Sequence, residues 1–198
     1  MPLTPVPSDQ IATIVTSLEM RSKPPLRPAP PSSLRLTQWP TPASDKYRTL
    51  FRRIGEPWLW FSRLVIPDEA LRGILDDPKV EVYAATDRAG IELGMLELDF
   101  RVEGTCELSY VGLVPELTGK GNGSWLMAQA LGLAWRKGVA RVWVHTCTLD
   151  HPAALGFYRR HGFVAYKRTV ETFADPRIAG ILAPDAAPHI PCLASLRR

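Results

Sequence analysis

Three glycines stand within five residues at Gly119-Lys120-Gly121-Asn122-Gly123, and the residues on either side leave few ways to fold around them. Before the cluster, Leu108, Tyr110, Val111, Leu113 and Val114 are strand formers, and Pro115 stops the ladder. After it, Leu126, Met127, Ala130, Leu133 and Ala134 recur at helical spacing until Gly138. A strand, a glycine-rich turn and a helix in that order form a cradle for an anion. Glycines let the backbone come close, and the unpaired N–H groups of the first helical turn face the ligand. A plain tight turn is the competing reading, because short glycine clusters also mark turns. The spacing matches neither the G-x-x-x-x-G-K-S/T nucleotide loop nor the G-x-G-x-x-G dinucleotide fingerprint.

Thr118-Gly119-Lys120-Gly121-Asn122-Gly123 resembles the Gln/Arg-x-x-Gly-x-Gly/Ala signature of the GNAT N-acetyltransferases, with both required glycines in place and Thr118 where Gln or Arg is usual. Downstream, Asp150-His151-Pro152-Ala153-Ala154-Leu155-Gly156-Phe157-Tyr158 followed by Arg159-Arg160-His161-Gly162-Phe163 is similar to that family's N-x-x-A-x-x-x-Y-x-x-x-G-F ending, with His151 in place of asparagine. The likeness covers about residues 95–168. It implies a mixed α/β fold, a largely antiparallel sheet of six to seven strands flanked by about four helices. It also implies transfer of an acetyl group from acetyl-CoA directly to a primary amine. A non-catalytic acyl-CoA-binding or regulatory module on the same fold is the alternative.

Composition narrows the class. The chain has 198 residues, 45% hydrophobic and 22% charged, as expected of a single globular domain with a real core. No apolar run approaches the ~20 residues that cross a membrane. The computed pI of 9.1 invites a nucleic-acid partner. However, the excess of Lys and Arg lies at the two ends, and residues 41–175 carry equal numbers of each sign. A nucleic-acid binder concentrates its cations on the folded face, so none is expected here. Three cysteines without paired spacing, and no basic leader before Ile11–Val15, imply a reduced, cytoplasmic protein.

Along the chain, residues 1–33 read as a proline-rich arm, since ten of the nineteen prolines fall before residue 43. Within the arm, residues 11–18 could add a strand at the sheet's edge, while Leu34–Trp39 alternates as the first true strand. The domain proper is expected over 34–174. Helices are expected over 43–54 and from Pro67 to Leu75, then strands over 80–86, 91–101 and 106–114. After the cradle and its helix come a strand over 141–147, a short helix over 152–160 and a strand over 163–173. Residues 175–198 read as a tail wrapping the domain. An exposed edge strand and the arm make a homodimer an open expectation.

Acetyl transfer needs a base for the ammonium, which is mostly protonated at neutral pH, and an acid for the departing thiolate. Glu107 lies eleven positions before Thr118, the offset at which the resemblance puts a catalytic glutamate; a solvent-facing strand carboxylate is the plainer reading. Glu97 and Asp99 are its rivals, or bind a cationic substrate. Tyr158 falls on the family's tyrosine that protonates the thiolate; alternatively it anchors a short helix in the core. Polarisation of the carbonyl would come from the amides of Val111 or Leu113, where Gly112 favours a bulge. The diphosphate would sit on residues 118–124, Ser124 included, with His151 along the pantetheine wall. Trp58, Trp60 and Tyr110 border the acceptor, or simply fill core. His145, Cys147 and His151 lack a fourth ligand, so no metal is expected.

Overall fold

The computed structural model describes residues 3–25 and 28–193. Seven strands form one open sheet: β1 (Gln10–Met20), β2 (Arg35–Trp39), β3 (Val80–Thr86), β4 (Glu92–Asp99), β5 (Thr105–Leu113), β6 (Arg141–Cys147) and β7 (Val164–Ala174). Among the described residues five α-helices flank it: α1 (Ser44–Gly55), α2 (Ser62–Val65), α3 (Asp68–Leu75), α4 (Asn122–Ala134) and α5 (Ala154–Arg160). The strand order is β2-β3-β4-β5-β6-β1-β7, antiparallel throughout except where β5 meets β6. This is the expected mixed α/β architecture with a largely antiparallel sheet.

Two cores sit on opposite faces. On one, α1 and α3 bury Tyr47, Leu50, Phe51, Ile54 and Leu71 against Val82, Ala84 and Met95. On the other, α4 buries Trp125, Leu126, Met127, Ala130 and Ala134 against Leu96, Leu108, Val142 and Val144. Both faces of the central strands are therefore covered, which explains their near-continuous apolar runs.

The opening segment departs from expectation. Residues 10–20 do not lie at an edge, and they are not part of an extended arm. β1 runs between β6 and β7, pairing Val15 with Cys147 on one side and Thr13 with Glu171 on the other. The prolines before and after this stretch disguise it, because the stretch itself contains none. Its buried side chains also change face midway, from Ile11 and Thr13 to Leu18 and Met20, which blurs the alternation that would have marked it. The exposed edge is β7, whose Val164, Tyr166 and Val170 face solvent. Beyond it, Leu182, Ala186 and Ala187 of the tail pack with Ile11, Leu59 and Leu149. Arg177 holds that tail down, donating to Asp175 Oδ2 at 2.7 Å and to Ile190 O at 2.8 Å.

Candidate active site

β5 and β6 run side by side over only three residue pairs, Thr105–Arg141 to Glu107–Trp143, and then part. The gap between the parted strands is lined by Leu108–Leu113, Val144, His145 and Tyr158, and belongs to a cavity of about 370 Å³. A bulge in β5 shapes its wall. Glu97 pairs with Tyr110 and Leu98 with Leu108, so Ser109 is the extra residue; the expected bulge at Gly112 is not where the ladder breaks. Inserting one residue reverses which face each side chain takes. Cys106 and Leu108 lie in the core under α4, and so do Val111 and Leu113 beyond the bulge, while Tyr110 turns to the opposite core. Gly112 is required for another reason. A Cβ there would meet Ile54 Cγ2 at 2.5 Å and the Trp60 ring at 3.1 Å.

The parting of β6 from β5 leaves two backbone amides of β5 without a strand partner among the described residues. Val114 N–H donates to Leu93 O on the β4 side. Since N–H groups alternate along a strand, those of Leu113 and Val111 point to the other edge, where β6 has moved away. Two aligned donors facing a cavity can polarise a carbonyl oxygen.

Below the parted strands, α4 begins at the glycine turn. Gly119 and Gly121 have φ of 75° and 80°, a region where a side chain strains the backbone. The first amides to bond back are those of Ser124 and Trp125, both to Gly121 O at 3.1 and 3.2 Å. The preceding amides of α4 have no helical acceptor, and the turn carries no acidic side chain to oppose an anion. A phosphate therefore fits here. The side chains contribute less than the backbone. Thr118 Oγ1 donates to Pro115 O at 2.7 Å, and Asn122 Oδ1 accepts from Ser32 Oγ at 2.9 Å. Of the turn residues, Thr118 alone also lines the cavity.

The glycines are not equivalent. Gly121→Ala is expected to lower stability by about 1 kcal/mol through left-handed strain. Gly123→Ala is expected to be neutral or slightly stabilising, because its Cβ would meet Phe157 at an ordinary 3.5 Å within a helix. Chemical denaturation of the two variants checks this.

Glu107 and His145 form the polar centre. His145 Nδ1 lies 3.3 Å from Glu107 Oε1. His145 lines the cavity, whereas Glu107 stands behind it. Glu107 raises the His145 imidazole above its ordinary value of 6.5, against the opposing effect of burial. Tyr158 is buried at the cavity wall between Phe157 and Phe163, and burial, helped by Asp150, pushes its phenol well up. Asp150 ties this region together. It accepts from Trp60 Nε1 at 3.1 Å, Thr146 Oγ1 at 2.6 Å and Cys147 N at 2.9 Å.

The acceptor side is aromatic. Trp58, Trp60, Phe61 and Tyr110 all line the cavity. Tyr110 packs edge-on to Phe51 at 4.9 Å, and its hydroxyl lies 2.6 Å from Ser62 Oγ. Trp58 sets its edge against His151 at 5.1 Å, and His151 lines the cavity too. Glu97, expected to bind substrate, does not reach this space. It is fully buried in the α1 core, accepting from Tyr47 OH at 2.5 Å and Arg63 at 2.6 Å. Asp99 is likewise occupied, held below the ordinary carboxylate range by Arg101, although burial opposes that. Among the described residues no three His, Cys, Asp or Glu side chains are grouped to hold a metal ion.

Three contributors escaped the sequence reading. Thr13, Glu171 and Phe173 reach the cavity only because β1 lies beside β6 and β7 beside β1. No spacing in the chain signals that order. His145 could have been found, since strand alternation puts it on the same face as Cys147 and next to the parted edge.

The sequence profile of the Acetyltransferase (GNAT) family matches residues 35–163. None of the curated proteins matches the chain in sequence. Among solved structures, a GCN5-related N-acetyltransferase from Sphaerobacter thermophilus superposes with a TM-score of 0.60 at 20% identity, covering 82% of this chain and 51% of its own. A functionally unknown conserved protein from Staphylococcus epidermidis gives 0.58 at 12%, covering 84% and 63%. A GCN5-related N-acetyltransferase from Kribbella flavida gives 0.51 at 15%, covering 87% and 63%. This chain thus spans between half and two thirds of the length of these three proteins, and the likeness is one of fold.

Proposed function

The chain belongs to the Acetyltransferase (GNAT) family, and from that premise we propose that it transfers an acetyl group from acetyl-CoA directly to a primary amine. The observation that supports this most is the convergence on one cavity of two strand amides, a histidine backed by Glu107, and a neutral buried tyrosine. Bound acetyl-CoA supplies the acetyl group as a thioester.

The residues divide the work as follows. The amides at residues 119–124 and the N-terminus of α4 hold the diphosphate, Lys120 adds charge, and His151 borders the pantetheine. The amides of Val111 and Leu113 draw electron density onto the carbonyl oxygen. His145 takes a proton from the ammonium, and Glu107 stabilises the resulting imidazolium. Glu107 thus acts through its neighbour rather than on the amine itself. The C–N bond forms as the C–S bond breaks, and Tyr158 gives its proton to sulfur. Of the two protons that nitrogen loses, one ends on the thiol by way of Tyr158, and the other leaves through His145 to solvent.

The test is thiol release from acetyl-CoA across a panel of amines. Release that depends on an amine supports the reading. Binding of acetyl-CoA with no release for any amine would replace it with the non-catalytic acyl-CoA-binding module.

The His145–Glu107 pair also sets a pH signature. His145 must be neutral to accept a proton, so kcat/KM is expected to rise through an acid limb above 6.5. Glu107→Gln removes the charge that raises the imidazole, and the limb moves down. For stability the sign is opposite. A raised folded-state value means the pair stabilises fully below 6.5 and is lost as pH climbs through the higher folded-state value. A limb unmoved by Glu107→Gln would show that another group accepts the proton.

A further inference from the structure

The acceptor end of the cavity has no free positive charge. Among the described residues that line it there is no lysine or arginine. Arg63 lies over the Tyr110 ring at 5.2 Å but spends its charge on buried Glu97. His145 is matched by Glu107. His151 Nδ1 is taken up by the Ala153 N–H at 3.1 Å. Negative charge, by contrast, is present twice. Asp150 is saturated by its three donors, whereas Glu171 reaches the cavity from β7 with a carboxylate that makes no side-chain hydrogen bond or salt bridge among the described residues and acts on His145 through its charge alone. Around these charges stand Trp58, Trp60, Phe61, Tyr110 and Phe173.

A carboxylate entering this space would lose water, find no cation and face two like charges. An ammonium on an apolar body would gain on every count: Glu171 meets its charge on entry, and aromatic faces receive both the cation and the hydrocarbon behind it. We propose that the acceptor is a primary amine on an aromatic or hydrocarbon body with no carboxylate beside the nitrogen, and that Glu171 recruits it. This inference rests on the acyl-transfer reading above, and it divides the amines that reading leaves open. Arylalkylamines and alkylamines are taken, and free amino acids are refused.

Three probes separate charge from shape: 2-phenylethylamine, L-phenylalanine and L-phenylalaninamide. The expected result is a kcat/KM for 2-phenylethylamine about 100-fold above that for L-phenylalanine. L-phenylalaninamide, which keeps the bulk and loses the charge, should return to within about tenfold of the plain amine. Glu171→Gln should raise KM for 2-phenylethylamine about three- to fivefold with little change in kcat, as suits an exposed carboxylate. It should also narrow the discrimination against L-phenylalanine. Equal use of amine and amino acid overturns the inference while leaving acyl transfer standing. Where no thiol is released, binding of the same three compounds followed by tryptophan fluorescence decides. Capture of the amine but not the amino acid sustains the site without catalysis, and equal or absent binding of both overturns it.

Discussion

Tyr158→Phe is expected to lower kcat by about 100-fold or more while leaving the Kd for acetyl-CoA within about threefold, because removing a positioned general acid costs two to four decades. The phenol is buried at the cavity wall, and burial, then the charge of Asp150, raises its pKa. It therefore carries its proton across the whole working range. A free thiolate would be a poor leaving group if the proton had to come from bulk water through an aromatic wall. The ring stays in the variant, so its packing against Phe157 and Phe163 stays as well. Stability should change by no more than about 1 kcal/mol, since only a hydroxyl is lost. Rapid-mix kinetics with equilibrium titration of acetyl-CoA make the measurement. Retention of kcat within threefold would assign the proton to water and return Tyr158 to a purely packing role.

The largest structural effect is expected at Arg63→Met. Glu97 is completely buried in the α1 core, and its charge is answered by Arg63 Nη2 at 2.6 Å and the Tyr47 hydroxyl at 2.5 Å. Burial disfavours the guanidinium charge, but Glu97 outweighs it and raises the Arg63 pKa. Deleting the cation strands a carboxylate without solvent or counter-charge, which costs about 3–5 kcal/mol. Pairing Arg63→Met with Glu97→Leu should recover most of that loss, since an apolar pair of similar volume can replace a buried ion pair. Urea unfolding of the two single variants and the double variant closes the cycle. A loss under about 1 kcal/mol for Arg63→Met alone would mean that the Tyr47 hydroxyl is enough to hold Glu97 in the core. The effect should also reach the cavity, because Arg63 lies under Tyr110.

How much of this was legible beforehand depended on whether the signal was local. Strand, glycine turn and helix at residues 105–134 were readable because backbone need and residue type coincide: Gly119 and Gly121 do adopt positive φ, and α4 starts at Asn122. Tyr158, His151, Trp58 and Trp60 stand out in the sequence because the motif or the aromatic run carries them, and in the structure all four line the cavity. Glu97 misled because a carboxylate in mid-strand looks available until Tyr47 and Arg63 arrive from about fifty and thirty residues away in sequence. Glu107 was singled out by its offset, whereas its contact with His145 is set by the brief parallel register of β5 and β6. Ser109 carries no mark of a bulge, because the bulge follows from how β4 and β5 satisfy two cores at once.

β1 has a consequence for how the molecule comes into being. Its Thr13 hydroxyl lies 2.8 Å from that of Thr148, a bond between residues 135 positions apart. A ribosome thus delivers the eleven residues of β1 early, long before either flanking strand exists. Contacts so distant form slowly, and an unsheltered β-prone segment invites association with other nascent chains. Docking of β1 is expected to be the late event of refolding, so truncating Leu18 should hasten unfolding far more than it delays folding. A polypeptide halted before residue 141 would carry its opening strand with no slot to receive it.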